Sequence, residues 1–145
     1  MKIILSIIFM FLSAQSFADL TGKGLICTFT DSGFTKYKPR SFYFTSTENY
    51  ERRIITEKND KFKILLIDES RYKTDKDFIS LWGNEMKVNR KTLKYVSMND
   101  GFGTLVYCEV FDNFKKLDKA YTKIKNKYQE EYNKTLEGNK IWLKH

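Results

Sequence analysis

The sequence predicts a mainly β protein, a small antiparallel β-barrel or β-sandwich of about eight strands followed by one long C-terminal α-helix and held by one disulfide. Three observations predict it. Short runs rich in β-branched and aromatic residues recur at a spacing of roughly 11 residues between positions 20 and 111, with turn residues between them. The apolar period then changes to steps of three or four. Two cysteines, Cys27 and Cys108, sit in the first and last of the strand-like runs.

The first 18 residues read as a leader rather than as part of the fold. Lys2 supplies a short positive segment, residues 3–12 are apolar apart from Ser6, and Ser16 and Ala18 place small side chains three residues and one residue before a cut. The apolar run of about ten residues is half of the ~20 needed to span a bilayer as a helix. Cleavage after Ala18 is expected. It leaves residues 19–145 as one mature domain with no transmembrane segment, exported to a periplasm or secreted. No cysteine sits just after the apolar run to accept a lipid.

The strand signals follow in order. Leu25, Cys27 and Phe29 alternate with Gly24, Ile26 and Thr28, and Phe42 and Phe44 alternate with Tyr43 and Thr45. Ile54 and Ile55 centre a charged stretch over 50–58, and Phe62, Ile64 and Leu66 share a face opposite Leu65 and Ile67. An apolar run over 78–82 ends at Gly83. Residues 86–88 and 92–98 form a hairpin about a turn at Asn89, Arg90 and Lys91, and a further turn lies at 99–101. Thr104, Val106, Cys108 and Val110 alternate with Leu105, Tyr107, Glu109 and Phe111. Both cysteines fall on the apolar face of their runs. In an oxidising compartment they are expected to pair and to tie the first strand to the last, where a nearly closed sheet would otherwise present open edges. Across so long a loop the chain-entropy model gives a stabilisation of about 4 kcal/mol.

Past Phe111, the residues Phe114, Leu117, Tyr121, Ile124, Tyr128, Tyr132 and Leu136 fall on one side of a helix over 112–137, with Asp112 as its N-cap, Gly138 as its stop and 138–145 as a tail. Lys115, Lys116, Lys119, Lys123 and Lys127 lie on the other side. Docking of the apolar stripe on the sheet is the first expectation. A protein partner or an anionic membrane surface are the alternatives.

The catalytic inventory is thin. The one histidine, His145, ends the chain, so Ser-His-Asp and Cys-His arrangements and zinc sites have no members to draw on. The string Ser70-Arg71-Tyr72-Lys73 matches S-x-x-K, but it lies in a strand or loop and lacks the companion motifs of that chemistry. Asp75 and Asp77, with Lys73 and Lys76 among them, read as an exposed loop rather than a cation site. No catalytic residue, metal or cofactor is expected.

The net charge of +8 favours anionic partners. Lys87, Arg90, Lys91 and Lys94 form a basic stretch with no acid in it, with Tyr95 and Trp82 nearby, and constitute the candidate anion-contact patch. The export signal disfavours nucleic acid. The expected function is a non-enzymatic binding or envelope-interaction module whose partner is an anionic envelope polymer or headgroup, or a protein docked on the helix. One alternative is a small apolar-ligand carrier of lipocalin-like barrel type, with a cavity lined by Phe42, Phe44, Phe62 and Trp82. A hydrolase using only carboxylates is the third.

The segments Leu81-Trp82-Gly83, Val88-Asn89-Arg90-Lys91-Thr92-Leu93 and Tyr107-Cys108 resemble a pattern in small exported β-rich proteins of AT-rich alphaproteobacteria, in which an aromatic-Gly pair precedes an N-R-x-T-L hairpin and a late cysteine. The resemblance spans about 30 residues. It implies a fold style and an exported compartment, and no activity.

Overall fold

The computed structural model describes residues 20–29, 38–81, 83, 86–97 and 106–142, with the backbone alone for 95–97, 106 and 139–142. The leader, Trp82, the turn at 99–101 and Thr104 and Leu105 lie outside the described residues. The chain is mainly β. Nine strands run in the order β1 (Gly24–Phe29), β2 (Arg40–Phe44), β3 (Glu48–Thr56), β4 (Phe62–Arg71), β5 (Lys73–Thr74), β6 (Phe78–Leu81), β7 (Met86–Asn89), β8 (Lys94–Ser97) and β9 (Val106–Phe111), and a helix, α1 (Phe114–Trp142), follows. Among the described residues no helix is long and apolar enough to cross a membrane.

All strand pairs are antiparallel, and the sheet order is β4-β3-β2-β1-β9-β8-β7-β6-β5. The two edge strands, β4 and β5, are separated along the chain by Tyr72 alone. Two trans peptide units reach about 7 Å at most, so the sheet curls until its edges meet at that residue. Tyr72 fixes the bend: its hydroxyl donates to the Thr45 carbonyl at 2.8 Å, and its ring meets Phe44 edge-on at 5.0 Å. Counting β4 and β5 as one bent strand gives the eight expected. Among the described residues no ladder joins β4 to β5 or β6, so the sheet is coiled but not closed into a barrel.

Period-two alternation sorts the side chains into two layers. Leu25, Cys27, Phe29, Phe42, Phe44, Ile79, Leu81, Met86, Val88 and Cys108 form the inner cluster. Ile26, Ile54 and Phe62 point the other way and are buried by Leu117, Tyr121 and Tyr128 of α1. The helix thus docks its apolar stripe on the outer side of the sheet, against β1, β2, β4 and β9. The Tyr121 hydroxyl, fully buried, donates to the Pro39 carbonyl at 2.7 Å with the Arg52 carbonyl at 3.0 Å. Gln129 Oε1 accepts the Phe62 N–H at 2.7 Å and stitches the helix to the start of β4.

Cys27 and Cys108 are bonded and stand directly opposite one another in the β1–β9 ladder. The bond joins the first and last strands as expected, but these are not sheet edges. They pair with each other in the middle of the order, and the open edges fall on β4 and β5. Two other expectations are corrected. The N-cap is Asn113, whose Oδ1 accepts the Lys116 N–H at 2.9 Å, while Asp112 pairs with the Lys116 ammonium at 2.8 Å. The helix runs through Gly138 to Trp142 rather than stopping at 137, because Gly138 is not among the residues with positive φ. A glycine ends a helix when it turns left-handed, and without that turn it costs only about 1 kcal/mol of helix propensity.

Candidate anion-contact face

The inward direction of Ile79, Leu81, Met86 and Val88 turns Phe78, Ser80, Lys87 and Asn89 outward on β6 and β7. Ser80 stands between Lys73 on β5 and Lys87 on β7, each its direct cross-strand partner. A Lys-Ser-Lys row therefore crosses three strands. Lys94 pairs with Tyr107 across β8 and β9, its ammonium 5.9 Å from the ring centre, and the Lys87 ammonium stands 5.9 Å from the Phe78 ring centre. Tyr107 is about half exposed. Both ammonium groups stand over an aromatic ring, Lys94 being exposed and Lys87 half-buried, a cation–π arrangement that holds their charge at this face.

Arg90 and Lys91 lie in the β7–β8 turn, where Asn89 Oδ1 accepts the N–H groups of Lys91 and Thr92, each at 2.9 Å. The Arg90 guanidinium donates to the Asp75 carbonyl, and its N–H donates to the Asp77 carbonyl at 2.8 Å. Arg90 is thus committed to locking two turns together. Acids border this face as well: Glu109 stands exposed on the outward side of β9, two residues from Tyr107, and Asp75 and Asp77 lie in the β5–β6 turn. The N–H groups of Asp77 and Phe78 hold the Asp75 carboxyl below its usual range, with Lys87 and Arg90 adding to the effect. Of the four patch residues the sequence singles out, Lys87 and Lys94 share the outer face, Lys91 is exposed at its end and Arg90 is a turn lock. Sequence reasoning missed Lys73 and Ser80, because β5 is two residues long and its pairing with β6 leaves no periodic trace.

The ion pairs of the described residues fall elsewhere. Arg52 meets Asp118 of the helix at 2.6 Å, Glu51 is gripped by Arg53 at 2.5 Å and faces Arg40 at 3.9 Å, and Lys63 meets Glu57 at 3.5 Å. Lys116–Asp112 and Lys127–Glu131 lie along α1. None of them involves Lys73, Lys87, Lys91 or Lys94.

The residues proposed to line a cavity are divided between the two layers. Phe42 and Phe44 are fully buried in the inner cluster, Phe62 packs under the helix, and Trp82 lies outside the described residues. The inner face also carries polar groups that the sequence does not flag. Glu51 and Asn49 stand opposite Phe42 and Phe44, both fully buried, and Glu51 Oε2 and Asn49 Oδ1 have no hydrogen-bond partner. Asn49 Nδ2 donates to Ser70 Oγ at 3.1 Å and to the Ser70 carbonyl at 2.9 Å. A cleft of about 750 Å³ opens where β4 and β5 part, and Ser70, Arg71, Tyr72 and Lys73 line it with Glu48 and Ser80. The S-x-x-K string thus forms the bend of a strand, outside the helical setting that its chemistry needs. Glu51 stands opposite Asp68 across β3 and β4, the one convergent acid pair with a fully buried member among the described residues. Arg53 and Arg40 bracket Glu51 in an ion-pair network. Among the described residues no group of three potential metal ligands comes together.

No protein family, curated protein or solved structure matches this chain.

Proposed function

We propose that this chain is an exported, non-catalytic binding module that contacts anionic polymers or lipid headgroups of the cell envelope through the outer face of β5–β8. The observation that carries the reading is the uneven placement of charge. Carboxylates near the helix-covered half are engaged by Arg52, Arg53, Lys63 and the helix lysines, while Lys73, Lys87, Lys91 and Lys94 collect, away from the helix, beside Phe78 and Tyr107. A cluster of one sign on a convex face attracts a polyanion over a Debye length of about 8 Å at physiological salt.

The carrier reading has less support, since Phe42 and Phe44 are fully buried in the inner cluster whereas Phe62 packs under the helix. The carboxylate-hydrolase reading would rest on Glu51 and Asp68, and Glu51 Oε1 is already engaged by Arg53 and faced by Arg40.

The test is retention of the disulfide-bonded protein on vesicles with and without anionic phospholipid. Replacing Lys73, Lys87, Lys91 and Lys94 together by Ser should abolish retention on the anionic vesicles, and Arg90 is kept so that the turns stay locked. Retention by the parent should fall steeply with salt. Retention that is unchanged in the variant, or insensitive to salt, would overturn the reading.

A further inference from the structure

The cleft where β4 and β5 part has the size of a small-molecule site, about 750 Å³, against about 300–1,000 Å³ for such sites in general. Ser80 lines it and is only 8 % exposed. Among the described residues nothing bonds the Ser80 hydroxyl. A buried hydroxyl without a partner carries a desolvation cost that a ligand's acceptor would offset.

The groups around Ser80 say which acceptor. Lys73 is its direct cross-strand neighbour, and Arg71 lines the same cleft from the other side of the bend at Tyr72. Both are exposed, and neither takes part in an ion pair of the described residues. Fully buried Asn49 donates from Nδ2 to Ser70 Oγ at 3.1 Å. The Ser70 hydroxyl is thus used as an acceptor there and keeps its own proton to give. Two cations and two hydroxyl donors suit the several acceptor oxygens of a phosphate, which the arginine can meet with two N–H groups at once. Glu48 is the one acid in the lining among the described residues. Its Oε2 accepts the Tyr50 hydroxyl at 3.5 Å, and across the ladder it stands opposite Arg71. A carboxylate beside a phosphate site is matched by a ligand that also carries hydroxyls. Ser46 and Thr47 of the β2–β3 turn add two more hydroxyls to the lining. A metal ion would meet Arg71 and Lys73, and an apolar ligand would meet hydroxyls and charges.

We propose that the β4–β5 cleft binds a polyol-linked phosphate, its oxygens held by Arg71, Lys73 and the Ser70 and Ser80 hydroxyls and a polyol hydroxyl donating to Glu48. The inference deepens the proposed envelope contact, from which it takes Lys73, by giving that face one discrete phosphate socket. The phosphate belongs either to a lipid headgroup or to a free polyol phosphate.

Glycerol 3-phosphate is the probe, titrated at low salt and without phosphate buffer into the full, disulfide-bonded chain and followed by amide chemical shifts. Saturable one-to-one binding with a Kd of about 1 mM is expected for a ligand of this size, and glycerol should give none. Arg71→Gln and Ser80→Ala should each weaken binding about tenfold, while the same spectra show that each variant is folded. Lys91→Ser, outside the cleft, should bind as the parent does. Absence of saturable binding, equal binding of glycerol, or parent affinity in both cleft variants would overturn the inference. Retention of Arg71→Gln/Ser80→Ala on phosphatidylglycerol vesicles separates the two sources. Loss of retention together with the probe assigns the phosphate to a lipid headgroup. Loss of the probe alone assigns it to a free polyol phosphate. A parent protein held by anionic vesicles but blind to glycerol 3-phosphate would remove the socket and leave the envelope contact standing.

Discussion

Gly24→Ala isolates the seating of the helix on the sheet. A Cβ built on Gly24 would lie 2.5 Å from Leu117 Cδ2, 2.9 Å from Cδ1 and 3.0 Å from Cγ. Leu117 is fully buried among Ile26, Ile54 and Tyr121, so it can yield only by shifting within that cluster. Gly24 does not need a glycine for its backbone, because its φ is not positive. An alanine would even recover some of the ~0.5–1 kcal/mol that glycine costs inside a strand. The overlap exceeds this gain. Overpacking of a filled core costs about 1–3 kcal/mol, so the net expectation is a loss of about 1–2 kcal/mol and a fall in Tm of roughly 4 °C for each kcal/mol. Urea and thermal unfolding, followed by circular dichroism on the oxidised protein, measure it. Leu117→Ala alone should cost about 2–5 kcal/mol through the cavity it leaves. In the double variant the new methyl enters that cavity, so the two losses should sum to more than the measured total by at least ~0.5 kcal/mol. A Gly24→Ala protein as stable as the parent, or a double variant with strictly additive losses, would refute the close approach of α1 to β1.

Tyr121→Phe removes the donor buried against the Pro39 and Arg52 carbonyls and should cost about 1–2 kcal/mol at neutral pH by chemical denaturation. Burial raises the Tyr121 phenol far above its ordinary 10.0, outweighing the hydrogen bond from Ile54 and the charge of Arg52. Its folded value lies above its unfolded one, so the stability it confers is complete below pH 10 and is lost as the pH climbs beyond. The slope approaches 1.4 kcal/mol per pH unit. The phenylalanine variant should lose less stability between pH 10 and 12, and parallel profiles for the two proteins would reject the buried phenol. Reduction of Cys27–Cys108, which closes a loop of sequence separation 81, should lower the unfolding free energy by about 4 kcal/mol. The strand signal should persist in dilute buffer, since β1 and β9 remain hydrogen-bonded neighbours, and a shift in the urea midpoint worth under ~1 kcal/mol would contradict the entropic account.

Much of the fold was legible because its signals are local. The period-two alternation at Leu25, Cys27 and Phe29 and at Phe42 and Phe44 puts those residues on the inner face, where they are buried. The three-four stepping from Phe114 onward gives the buried stripe of Leu117, Tyr121 and Tyr128. Asn89 marks the β7–β8 turn by bonding its own backbone two and three residues on. Which strands become edges was not legible, since that depends on pairing order. The cysteines suggested β1 and β9, whereas a one-residue bend at Tyr72 sets the edges at β4 and β5. The N-cap was one residue out because Asp112 and Asn113 are both competent caps, and the choice rests on where the chain leaves β9. Half of the basic face was visible as the run from Lys87 to Lys94. Lys73 was not, because only the β5–β6–β7 register brings it beside Ser80 and Lys87.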